Sequence, residues 1–166
     1  MTVCASVEFP EVSGHPNRLP FEGCLTLVDV PSDRAPSGAR GHRVVLTRAA
    51  AEGALPSLLG MAVDYKSGWD GHDARQKCGI ITSAHLDGEQ LRVGGFLFGR
   101  DFPEMERLEC EPLGMSYELA DAHVADLRRR IWTVTRAHYF TGAAILLRDK
   151  AAYRGTFFQI ARRRAA

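Results

Sequence analysis

The chain lacks any apolar run approaching the roughly 20 residues that a helix needs to span a bilayer. It also lacks a basic segment followed by an apolar stretch at its N-terminus, so no signal peptide and no membrane partner are expected. Excess charge of one sign is missing: the formal net charge is +1, which makes no electrostatic case for nucleic acid as a partner. The triplets Arg128-Arg129-Arg130 and Arg162-Arg163-Arg164 are local, and no aromatic residues interleave them for base stacking. Cysteine is sparse. Cys4, Cys24, Cys78 and Cys110 contain no C-x-x-C pair, so zinc-ribbon and dithiol-redox chemistry fail and free thiols are the expectation. Asp64, Asp70, His72 and Asp73 fall within ten residues, but H-E-x-x-H and calcium-loop spacing are absent, so no metal and no cofactor are expected. Internal repeats and low-complexity tracts are absent too.

What remains is an ordinary globular composition, 45% hydrophobic and 25% charged over 166 residues. That length fits one domain able to bury about two-thirds of its unfolded surface. Turn-rich residues 1–20 read as an extended arm, 21–160 as the domain, and 161–166 as a basic tail. Phe21–Val30 alternates as a strand, and Pro31–Gly41 is a loop. His42–Leu46 is a short strand, and Thr47 is a helix N-cap before Arg48-Ala49-Ala50-Ala51-Glu52. Met61–Tyr65 reads as a strand and Lys66–Lys77 as a polar loop. Gly79–His85 and Gln90–Phe98 flank Asp87-Gly88, a strong hairpin signal. A helix is expected from Asp101 to about Cys110. Strands follow at Leu113–Val124, Ile131–Phe140 and Thr141–Leu147, then a helix or turn at Arg148–Tyr153 and an apolar patch at Phe157–Ile160. About seven strands, two or three helices and no βαβ rhythm indicate a mainly antiparallel α+β domain. Its expected form is a closed or partly closed β-barrel with peripheral helices.

Two short Gly-marked segments carry the chemistry: Gly71-His72-Asp73 through Cys78-Gly79, and Leu113-Gly114-Met115-Ser116-Tyr117-Glu118-Leu119. A serine hydroxyl is unreactive until a neighbouring base takes its proton, and an imidazole is the usual base. By the period of two, Gly114, Ser116 and Glu118 share one face of a strand, with Met115, Tyr117 and Leu119 on the other. The larger apolar residues can then anchor the strand while Ser116 looks into a cleft, with Gly114 leaving room for a substrate backbone. Cys78, close to His72, reads as a small buried residue rather than a nucleophile.

The ordered set resembles the capsid maturation (prohead) proteases of tailed bacteriophages, relatives of the herpesvirus assemblins. The pieces are Phe21-Glu22-Gly23, Val28-Asp29-Val30-Pro31, His72-Asp73 with Gly79 seven positions after the histidine, Asp87-Gly88 turning into Leu91-Arg92-Val93-Gly94-Gly95, Gly114-Met115-Ser116, and a closing apolar strand before Asp149-Lys150-Ala151-Ala152. The resemblance implies an assemblin-like serine endopeptidase with Ser116 as nucleophile and His72 as general base. A third residue should orient the base. His138 is the first candidate, by analogy with the second histidine of the assemblins; Asp73, Asp121 and His123 compete. Arg148 is the candidate oxyanion residue by the same analogy. The implied substrates are scaffold or capsid-protein segments inside an immature capsid in the host cytoplasm. Self-processing and a homodimer are compatible with that role. The chain departs from the pattern at Tyr117-Glu118, where the family has a small residue, and at Arg136-Ala137-His138, where it has an acid. The alternative is a non-catalytic assembly or scaffold-binding module of the same fold.

Overall fold

The computed structural model describes residues 3–110 and 112–161, so the basic tail expected beyond Ala161 lies outside the described residues. The strands in chain order are β1 (Cys4–Ser6), β2 (Leu19–Leu27), β3 (Arg43–Leu46), β4 (Ala62–Tyr65), β5 (Lys77–Asp87), β6 (Gln90–Leu97), β7 (Leu113–Ala120), β8 (His123–Val124), β9 (Ile131–Arg136), β10 (Tyr139–Leu147) and β11 (Phe157–Ile160). Helix α1 (Arg48–Ala54) continues into a 3₁₀ turn at Leu55–Leu58, and a second 3₁₀ segment covers Pro103–Cys110 where a regular helix was expected. The stretch expected as an arm contributes β1, paired to the far end of β5, and the first residues of β2.

The main sheet runs β11-β2-β6-β5-β4-β10-β7, with β1 on the side of β5; a smaller sheet runs β3-β9-β8. Most neighbours are antiparallel, but β4–β10 and β3–β9 are parallel pairs. The main sheet curls until β7 packs against β2 and β11 at its other end. Gly23 permits that approach, because a Cβ there would stand 2.6 Å from the Met115 sulfur. Among the described residues β7 and β11 share no hydrogen-bonded ladder, so the sheet is a curled half-barrel and not a closed barrel. Only α1 is an α-helix among the described residues, fewer than the two or three expected.

The core fills the curl with Leu25, Val63, Ile81, Leu91, Leu97, Met115 and Ile145, all at most 1% exposed. Leu55 and Leu58 of the helical segment are fully buried, and that segment packs against β5 and β10. Thr47 starts α1 as read: its hydroxyl accepts the Ala50 N–H at 3.2 Å and donates to the Val134 carbonyl of β9 at 2.9 Å. The Asp87–Gln90 pair closes the β5–β6 hairpin around Gly88 and Glu89, with Gly88 at φ +58° as a tight turn requires.

Candidate active site

Strand register builds the floor of the site. Ala144 in β10 is paired with Asp64 of β4 on one side and with Ser116 of β7 on the other. Residues in register on neighbouring strands project from one face, so Asp64, Ala144 and Ser116 form a row across three strands. With strands about 4.8 Å apart, the two outer members stand on the order of 10 Å apart at the backbone. The buried methyl of Ala144 leaves the space above the middle strand open, and the imidazole of His72 occupies it. Its Nε2 lies 3.2 Å from Ser116 Oγ, across 44 positions of sequence. Its Nδ1 lies 3.5 Å from Asp64 Oδ1.

His72 reaches this place from the loop between β4 and β5, which is stapled at several points. The Trp69 ring stacks on Tyr65 with centroids 4.7 Å apart, and the Trp69 carbonyl accepts the Leu147 N–H at 2.8 Å. Gly68 and Trp69 turn the chain with φ of +90° and +57°. Lys66 and Asp70 pair at 3.3 Å. Gly71 adopts no positive φ, so its flanking place answers no conformational demand.

The electrostatics tie the His72 ring to the carboxylates around it. Burial disfavours a charged His72 ring, but the hydrogen bond and charge of Asp64, with the charge of Glu118 added, outweigh it and hold the histidine above its ordinary pKa. Asp64 is 8% exposed, and its Oδ1 and His72 Nδ1 are the buried side-chain atoms among the described residues that lack a well-formed hydrogen bond. The separation of 3.5 Å is longer than a normal hydrogen bond, and Asp64 Oδ1 is nearer to His72 Nδ1 than Glu118 Oε1 is. Such lengthening is common where a catalytic hydrogen bond tightens only on substrate.

Ser116 and His72 open on a cleft of about 720 Å³ between the β7 face and the β3-β9-β8 sheet. Val124, Leu127 and Trp132 give it an apolar wall, and Arg34, Arg40 and Lys150 a cationic one.

The other expected site residues fall elsewhere. His138 does not lie on a strand: β9 ends at Arg136, and His138 sits exposed in the corner before β10, its ring edge-on to Tyr139 at 3.9 Å. Its backbone N–H goes to the Ala120 carbonyl, and no contact joins it to His72. Asp121 and His123 are exposed at the far end of β7 and on β8. Asp73 is turned to Arg75, whose side chain and backbone N–H hold its carboxyl down at about 2. Arg148 lies in the turn after β10 with its guanidinium 3.5 Å from the Leu113 carbonyl, outside the Ser116 cleft. Gly114 gives no room to substrate. A Cβ there would stand 2.7 Å from Thr156 Oγ1, because the β10–β11 connection already packs on it. Cys78 is buried, its thiol pushed up to about 12 by desolvation, and it donates weakly to the Val63 carbonyl.

Asp64 was weighed from sequence only as a metal-type ligand, yet it is the buried carboxylate that faces His72 Nδ1. Its signal was faint: a single acid at the end of a short apolar strand, Met61–Tyr65, where a solvent-facing residue is not expected. Compared with known protein families, curated proteins and solved structures, the chain matches none.

Proposed function

We propose that this chain is a serine endopeptidase of the prohead-protease type, with Ser116 as nucleophile, His72 as general base and Asp64 as the group that orients the base. One observation carries the proposal: a half-buried serine hydroxyl 3.2 Å from a histidine Nε2, with a buried carboxylate at the other ring nitrogen. Asp64 favours the tautomer with its proton on Nδ1, which leaves Nε2 free to accept. In the proposed reaction Ser116 Oγ bonds to the scissile carbonyl carbon while its proton passes to His72. Collapse of the adduct breaks the C–N bond, and His72 returns the proton to the leaving amine. Water then repeats the sequence on the acyl-serine, freeing the acid and restoring the hydroxyl. Arg148 has no place in this scheme.

The ordered resemblance described above supports scaffold or capsid-protein segments as substrates and the immature capsid in the host cytoplasm as the place of action, with self-processing as a further activity. No described helix is long and apolar enough to cross a membrane.

The test is covalent labelling by a fluorophosphonate, followed by peptide mapping. The expected outcome is an adduct on Ser116, abolished in Ser116→Ala and strongly slowed in His72→Ala. Labelling at another residue would overturn the Ser116 assignment, and none in a folded chain would replace this reading with the non-catalytic scaffold-binding module.

A further inference from the structure

Glu118 belongs to the Tyr117-Glu118 pair at which the serine segment leaves the family pattern, and nothing in the proposed reaction requires it. Its surroundings are nonetheless built. Glu118 lies two positions after Ser116 on the same face of β7, and its partner across the ladder is Gly142 of β10. A Cβ at Gly142 would stand 2.9 Å from Glu118 Oε2 and 3.5 Å from its Cδ, so the carboxylate lies down on the glycine. Beside it, β10 carries one extra residue between Phe140 and Gly142, a bulge of the kind that re-aims a side chain. The other carboxylate oxygen, Oε1, is then 3.8 Å from His72 Nδ1. That nitrogen therefore faces two carboxylates, buried Asp64 on β4 and exposed Glu118 on β7, from strands on either side of β10.

We propose that Glu118, seated on Gly142, is a second carboxylate for the His72 imidazole and a positioning residue that sets the pH range in which the His72–Ser116 pair works. The proposal rests on the catalytic reading of that pair. The charged groups facing the ring are Asp64 from β4 and Glu118 from β7; on its own loop Asp70 is engaged by Lys66 and Asp73 by Arg75. Both carboxylates favour the protonated ring, so removing one lowers the proton affinity of His72. A base of lower proton affinity is free at lower pH. Losing Glu118 should therefore raise activity on the acid side, which loss of a merely structural residue would not do. The exposed placement of Glu118 limits the gain to about fivefold at most, the factor that matches the 1 kcal/mol ceiling of exposed ion pairs.

The experiment titrates His72 by NMR with ¹⁵N-labelled histidine in the parent, Glu118→Gln and Gly142→Ala, and measures the fluorophosphonate labelling rate of each against pH. The expected result is a downward shift of the His72 midpoint in Glu118→Gln, with the acid limb of labelling moving in step. Gly142→Ala should repeat the shift by displacing an intact Glu118, and Glu118→Asp, too short to reach, should not restore the parent midpoint. A His72 midpoint unchanged in Glu118→Gln overturns the proposal, whatever Gly142→Ala does. The NMR titration reads this without activity: a shifted midpoint with no labelling of Ser116 would retain Glu118 as partner of His72 while ending the nucleophile assignment.

Discussion

Each ring nitrogen of His72 has a separate neighbour, Ser116 at Nε2 and Asp64 at Nδ1, and in the proposed reaction the exchange of one atom beside either matters. Asp64→Asn keeps the shape but offers an amide where a carboxylate stabilised the imidazolium. Its expected cost is on the order of 10²–10⁴-fold in the labelling rate, with the fold intact by circular dichroism. His138→Ala, by contrast, should leave the rate within about twofold, because the ring is exposed in a corner and touches Tyr139 rather than His72. A large loss in His138→Ala beside a small one in Asp64→Asn would return the third position to the histidine. Labelling of Ser116 is the parent measurement on which both comparisons rest.

At the scale of elements, the parallel pairing of β4 with β10 puts three residues in a row, and the smallness of the middle one admits the imidazole. Ala144→Leu would fill that space. We expect a loss of about 10²-fold or more in labelling from a displaced base, with about 1–3 kcal/mol of destabilisation from overpacking. An unchanged rate would show that His72 does not sit over β10. Two glycines make an opposed pair. Gly95 in β6 lies directly on the Ile80 carbonyl of β5, leaving no room for a Cβ, so Gly95→Ala should destabilise by about 1–3 kcal/mol. Gly53 in α1 has nothing within 4 Å of an added Cβ, so Gly53→Ala should stabilise by roughly 0.5–1 kcal/mol. Urea unfolding with matched slopes reads both, and the same sign for the two would contradict the packing described.

For the whole molecule, the raised pKa of His72 links the site to stability. A histidine held above its unfolded value contributes stability that is fully present below the unfolded pKa of about 6.5 and is lost as pH rises through the folded value. The His72–Asp64 pair is therefore tightest when the ring is protonated, and it loosens in the neutral form, which the proposed reaction needs to accept the serine proton. Urea midpoints of the parent and Asp64→Asn should differ more at about pH 5.5 than well above neutrality. A gap that widens with pH would mean that Asp64 does not hold the charged ring. Because the parent chain closes its curl through β7 against β2 and β11, such a loss should register in one cooperative transition.

Local chemistry was legible in the sequence by itself. Asp87-Gly88 announced the hairpin because a positive φ is a property of one residue, and Thr47 announced α1 because a cap acts over three positions. The alternation around Ser116 told which residues share its face, since a strand repeats every two residues. Tertiary structure alone decided what lies beside that face. Asp64 became the partner of His72 through a parallel pairing between strands some 80 positions apart, a register that no period in the chain encodes. His138 was lost to the site because its strand ended early at Arg136, and Gly114 because a distant connection had already taken its space. Periodicity assigns a side chain to a face; only packing chooses the strand that faces it.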